Sequence, residues 1–108
     1  FWSMPKIPAG SAASLSVGDV LVVETPEGRV AVFNVEGEFL AVGNKCTHQD
    51  ADLSDGFLEG CMVECPLHAS MFDLRTGKPS GPPATRAVST YATDVSDGVI
   101  YIEVGAPD

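Results

Sequence analysis

Two short stretches, NKCTHQD (Asn44 to Asp50) and ECPLHAS (Glu64 to Ser70), hold both histidines of the chain and two of its three cysteines. Each sets a thiol and an imidazole within one turn of chain, as Cys46-Thr47-His48 and Cys65-Pro66-Leu67-His68, with sixteen residues between the pairs. Thiolates favour zinc, copper(I) and the iron of iron-sulfur groups, and imidazole also suits zinc and iron. Two of each leave zinc and iron-sulfur as the leading candidates. Zinc sites usually draw two cysteines from one knuckle and their histidines from a separate pair. Here each stretch carries one of each, which suits a two-iron cluster with both cysteines on one iron and both histidines on the other. Any one of these residues alone would read as an ordinary buried thiol or a satisfied histidine; the joint pattern, in a chain with no other histidine, does not.

Two loop tips that converge need a rigid frame behind them. Val20 to Glu24, Arg29 to Val35 and Glu38 to Val42 are rich in Val and Phe and are separated by TPEG and EG, so they read as antiparallel strands. Tyr91 to Ser96 and Val99 to Val104 flank Asp97-Gly98, a two-residue link between β-rich runs that predicts a tight hairpin. Cys61 to Cys65 and Met71 to Leu74 read as short strands on either side of the second Cys-His turn. Thr76 to Thr85 (TGKPSGPPAT) is a loop, because its three prolines cannot donate ladder bonds. Helical periodicity is nowhere sustained, and SAASLSVGD offers one turn at most. The expected fold is all-β, a small antiparallel sandwich or barrel, with no internal repeat and no linker.

The length of 108 residues is that of one domain, and 44% hydrophobic against 19% charged residues is the composition of a packed one. A formal net charge of -9 excludes nucleic acid as a partner, since phosphate binding needs clustered Lys and Arg, and it points to a basic protein partner instead. No apolar run reaches the roughly 18 residues of a membrane-spanning helix, and FWSMPKIPAG lacks the pattern of a signal peptide. Three cysteines are too few for a disulfide framework and suggest a reducing compartment, so a cytoplasmic protein without membrane contact is expected.

Cys-x-His, sixteen residues, then Cys-Pro-Leu-His resembles the signature of the Rieske ferredoxins. LSDGFLEG (Leu53 to Gly60), FDLRTGKP (Phe72 to Pro79), GPPAT (Gly81 to Thr85) and DGVIYIEV (Asp97 to Val104) are similar to family segments and stand in family order. The resemblance covers most of the chain and is nearest to the ferredoxin components of bacterial ring-hydroxylating dioxygenase systems. It implies a single Rieske-type domain over residues 1–108, its cluster-binding part at about 44–85, with a 2Fe-2S cluster held by Cys46 and Cys65 on one iron and by His48 and His68 on the other. It also implies a non-catalytic, monomeric one-electron carrier that takes electrons from a flavin-dependent NAD(P)H reductase and delivers them to a terminal oxygenase of aromatic hydrocarbon catabolism. The alternatives are a Rieske subunit of another redox enzyme, such as a nitrite or arsenite system, and a zinc-stabilised binding module.

Further expectations follow from that resemblance. Imidazole donates less charge than thiolate, so the histidine-bound iron is the easier to reduce. His48 and His68 would stand near solvent, with Gln49, Pro66 and Leu67 as a docking rim and GPPAT as a cover that excludes water. High-potential relatives carry an extra disulfide across the loops; Gln49, Asp50 and Leu67 occupy that neighbourhood here. Ser70 stands at the position of a serine that bonds a bridging sulfide, whereas Phe72 replaces a tyrosine donor, so a potential at the low end of the Rieske range is expected. Cys61 matches no ligand position and reads as a small hydrophobe on the face of Val63 and Cys65. Asp50, Asp52, Asp55, Glu59 and Glu64 form an acidic stretch suited to steering a basic partner. An oxygenase is excluded, because its mononuclear iron needs two further histidines and a carboxylate.

Overall fold

The computed structural model describes residues 6–46, 51–66, 70–81 and 86–104. Among these residues lie ten strands and no α-helix: β1 (Lys6–Ser11), β2 (Val20–Thr25), β3 (Gly28–Val35), β4 (Glu38–Gly43), β5 (Phe57–Glu59), β6 (Met62–Glu64), β7 (Met71–Asp73), β8 (Thr90–Tyr91), β9 (Thr93–Ser96) and β10 (Val99–Glu103). They pair antiparallel into three sheets, ordered β1-β10-β9, β2-β3-β4-β8 and β5-β6-β7. The all-β expectation is met, and the SAASLSVGD stretch supplies one 3-10 turn at Ala12–Ser14.

β3 explains the layering. Its last six residues, Val30 to Val35, are all buried, as a strand covered on both faces requires. Strand periodicity sends Val30 and Val32 to one face, where they pack with Ala41, Ile100 and Ile102 against the β1-β10-β9 sheet. Ala31, Phe33 and Val35 go to the other face, where they join Val42, Leu53, Val63, Phe72, Leu74, Cys46 and Cys65. Asn34 is the polar exception in this strand. Its Nδ2 donates to the Leu15 carbonyl at 2.7 Å, and its Oδ1 accepts the Gly37 N–H at 2.8 Å, so its burial leaves no group unpaired.

The turns follow from residue type. Asp97 and Gly98 have φ of 51° and 78°, and Glu36 and Gly37 have 52° and 95°. Two successive left-handed residues give the mirror-type turn whose twist matches the flanking strands.

Two expectations on the strands are corrected, and one strand was not foreseen. Tyr91 to Ser96 is not one strand: Tyr91 pairs with Ala41 in the central sheet, the ladder breaks at Ala92, and Thr93 to Ser96 pair with β10 in another sheet. The single run therefore carries the chain from one layer to the next. β1, for which no strand was expected, contains Pro8 and Gly10 and pairs with β10 through a register shift between those two residues. An edge strand with a bulge is where a residue lacking an N–H is tolerated. Cys61 lies in the turn before β6, not in the strand, and packs half-buried against the core that holds Val63 and Cys65.

Gly77 has φ of +80°, and a Cβ built there would stand 2.2 Å from the Val88 carbonyl oxygen. Gly98 has φ of +78° with open space around it. Gly77→Ala is expected to cost about 3 kcal/mol or more, against about 1 kcal/mol for Gly98→Ala. Denaturant unfolding of both variants checks this, and equal losses would contradict the close approach at Gly77.

Candidate metal centre

The two Cys-His stretches are closed at their bases by the same backbone bond. The Cys46 N–H donates to the Ala51 carbonyl at 2.9 Å, and the Cys65 N–H donates to the Ser70 carbonyl at 2.8 Å. Each bond joins a cysteine to the residue five positions on. The matched spacing in the sequence is thus a matched closure in the fold.

Different supports carry the two loops. The first leaves the end of β4, where Lys45 bridges to Asp52 and the Leu53 N–H donates to the Asn44 carbonyl at 2.6 Å. The second is the tip of the β6–β7 hairpin, in which Glu64 stands opposite Met71. That hairpin is held to the chain beyond it by Ser80 N–H to the Met71 carbonyl at 2.8 Å and by a bridge between Phe72 and Pro79. Gly56 lets the loops' supports approach: a Cβ there would stand 2.0 Å from the Glu64 carbonyl oxygen. β5 begins at the next residue.

Cys46 and Cys65 are 3% and 1% exposed, form no disulfide, and belong to one hydrophobic cluster with Phe72 and Leu53. Ser70 is buried beside them at the loop base, and Phe72 is wholly buried. His48 and His68, the other two expected ligands, lie outside the described residues, as do Gln49, Asp50, Leu67 and the Pro82 to Thr85 part of the covering loop. Of the expected rim, Pro66 is half-buried. Of the acidic stretch, Asp55 and Glu59 are exposed, Glu64 is half-buried, and Asp52 is turned toward Arg29 at 3.7 Å.

Two supporting residues were not singled out from the sequence. Asn44 is 2% exposed, and its Oδ1 accepts the Ser54 N–H at 2.9 Å, pinning the 3-10 turn Leu53–Asp55 that follows the first loop. An asparagine two residues before a ligand-type cysteine was the available signal. Arg75 grips Glu38 through two bonds of 2.8 and 2.7 Å, tying the β7 side of the second loop to β4. These hydrogen bonds hold the Glu38 carboxyl below its usual range and raise the guanidinium. Cys61 adds a smaller contribution beside the same guanidinium.

Two buried, unbridged thiols at the bases of twin loops fit an iron-sulfur group: they are soft donors, shielded from water. Known proteins agree. The chain matches the model of the Rieske [2Fe-2S] domain over residues 6–92. It is 43% identical over 102 residues to the 3-phenylpropionate/cinnamic acid dioxygenase ferredoxin subunit of Shigella flexneri serotype 5b (strain 8401), covering 94% of this chain and 95% of that one. Its fold is similar to the Sphingomonas yanoikuyae B1 ferredoxin, with a TM-score of 0.86 and 33% identity over 94% of this chain and all of the other. It is also similar to a chain in the complex of reduced oxygenase and oxidised ferredoxin of carbazole 1,9a-dioxygenase, with a TM-score of 0.87 and 29% identity over 94% of each chain.

Because Phe72 fills the floor shared by both cysteines, Phe72→Ala is expected to cost about 3–5 kcal/mol. Chemical denaturation measures it, and a loss under about 1 kcal/mol would show that the loops do not depend on this packing.

Proposed function

This chain belongs to the Rieske [2Fe-2S] domain family, and from that premise we propose that it is the ferredoxin of a ring-hydroxylating dioxygenase system, carrying single electrons from a flavin-dependent NAD(P)H reductase to a terminal oxygenase. The observation that carries this reading is the near full-length similarity, in both directions, to a dioxygenase ferredoxin subunit. The match spans 94% of this chain and 95% of that subunit.

In this reading Cys46 and Cys65 hold one iron and His48 and His68 the other. Bound there, the cluster supplies storage for one electron, on the iron whose neutral imidazole ligands make it the easier to reduce. The protein's own part is to fix the ligands and set their surroundings. The Cys46–Ala51 and Cys65–Ser70 bonds orient the thiols, and the Phe72, Leu53 and Val63 packing keeps water from the cysteine side. With only Cys61 left over, the chain has no cysteine pair to cross-link the loops, and Phe72 brings no hydroxyl to them, which supports a potential at the low end of the Rieske range, roughly -150 to +300 mV.

The functional unit is the single domain of residues 1–108, a monomer acting in the cytoplasm. Among the described residues no helix is long and apolar enough to cross a membrane.

Reconstitution tests the assignment: mixed with the reductase and oxygenase of the same organism, the protein supports NAD(P)H-dependent ring dihydroxylation, and failure of turnover with an intact, reducible cluster would contradict the carrier role. For the ligands, His68→Cys is expected to retain a cluster at lower midpoint potential and His68→Ala to lose it. Phe72→Tyr is expected to raise the potential. Voltammetry and visible circular dichroism read all three, and a wild-type spectrum and potential in both His68 variants would remove His68 from the ligand set.

A further inference from the structure

Asn44 is 2% exposed, and its Nδ2 is the one buried side-chain nitrogen or oxygen among the described residues without a hydrogen-bond partner. Every other polar group of the residue is committed. Its N–H donates to the Arg29 carbonyl at 2.9 Å, its carbonyl accepts the Leu53 N–H at 2.6 Å, and its Oδ1 accepts the Ser54 N–H at 2.9 Å. With Oδ1 engaged, the amide cannot turn over to give Nδ2 another direction. A buried amide N–H left unpaired is costly, so a donor fixed this closely and closed to water calls for an acceptor inside the molecule.

The position of Asn44 in the chain says which acceptor that is. Val42, Asn44 and Cys46 are buried, with half-buried Gly43 and exposed Lys45 between them, and Lys45 continues the extended backbone by bridging to Asp52. Strand periodicity turns the side chains of Val42, Asn44 and Cys46 to one face. Val42 and Cys46 on that face belong to the core that also holds Cys65, Phe72 and Leu53, and Leu53 is the neighbour of the Ser54 that Oδ1 holds. The unpaired N–H thus sits on the cysteine side of the metal centre. Thiolate and sulfide sulfurs of an iron-sulfur cluster accept hydrogen bonds, and such bonds tune its potential.

We propose that the Asn44 Nδ2–H donates a hydrogen bond to a sulfur on the cysteine side of the cluster and so raises its midpoint potential. The proposal rests on the cluster assignment above and adds to it a residue that sets the cluster's electronic surroundings. An acceptor that gains negative charge takes a stronger hydrogen bond, and a buried donor acts on it at low dielectric. The bond therefore favours the reduced cluster over the oxidised one. Phe72 offers no side-chain donor at the second loop, and Asn44 supplies one from the base of the first.

Voltammetry of the cluster-loaded protein compares two variants. Asn44→Asp keeps an acceptor for the Ser54 N–H and adds a charge; Asn44→Leu adds no charge and gives up that acceptor. Loss of the donor is the one change they share. Both are expected to lower the midpoint potential, moving the one-electron equilibrium roughly fivefold toward the oxidised form. A shift in Asn44→Asp alone reports the charge, a shift in Asn44→Leu alone reports the lost Ser54 bond, and either result overturns the proposal, as does no shift in both. Should neither variant retain a cluster, the wild-type protein decides. Its two asparagines are Asn34 and Asn44, and with both side-chain amides 15N-labelled, pulsed electron paramagnetic resonance of the reduced protein is expected to show one isotropic 15N coupling, which proximity without a bond does not give. Asn34, whose Nδ2 bonds the Leu15 carbonyl at 2.7 Å, is the uncoupled reference. An intact cluster with no coupled asparagine overturns the proposal and leaves the cluster assignment standing; wild-type protein without iron and sulfide overturns both.

Discussion

Everything in this molecule that bears on chemistry hangs from two equivalent backbone hydrogen bonds, Cys46 to Ala51 and Cys65 to Ser70. A cysteine N–H bonded to a carbonyl five residues on fixes the cysteine's backbone and returns the chain toward its start. Each bond thus holds a buried thiol at the base of its stretch. The two stretches set both thiols in one buried core. Neither loop could hold this shape alone, since a short irregular segment has too little packing to offset the entropy of ordering it.

The packing comes from the central sheet. β3 is buried on both faces, so one strand joins the two cores: Val30 and Val32 fasten the frame, and Ala31 and Phe33 support the cysteines. The first loop extends the end of β4, and the second is the tip of a separate three-stranded sheet. Their separate origins make their relative placement a tertiary matter, settled by Phe72 and Leu53 in the shared core, by the close approach at Gly56, and by the Arg75–Glu38 pair. The pair is exposed, so its contribution is to register more than to stability. A frame of this kind suits one-electron transfer, which needs little motion of the ligands between oxidation states.

Much of this arrangement was legible in the sequence. The Cys-His spacing named the metal chemistry, the Val-rich runs and Asp97-Gly98 named the central strands and the last hairpin, and Cys61 was read as a packing residue. The zinc alternative that the residue types left open is set aside by the family match over residues 6–92. What escaped has physical reasons. β1 contains a proline and a glycine, and only its place at an edge, with a bulge, makes it a strand. β5 is three residues long, too short to show a period, and exists because β6 lies beside it. The break at Ala92 is invisible in a run whose residues all suit strands, because it reflects which sheet is within reach. The role of Asn44 depends on Ser54, ten residues on, whose N–H the fold brings to its side chain.

The central claim is a pair of unlike irons, one on the thiols of Cys46 and Cys65 and one on the imidazoles of His48 and His68. Mössbauer spectroscopy of the 57Fe-enriched protein, oxidised and then reduced by one electron, addresses it directly. Two equal-intensity doublets of distinct isomer shift are predicted in the oxidised protein, with one of them alone changing to a ferrous signal on reduction. A single iron environment, or protein that carries zinc in place of iron, would contradict the account.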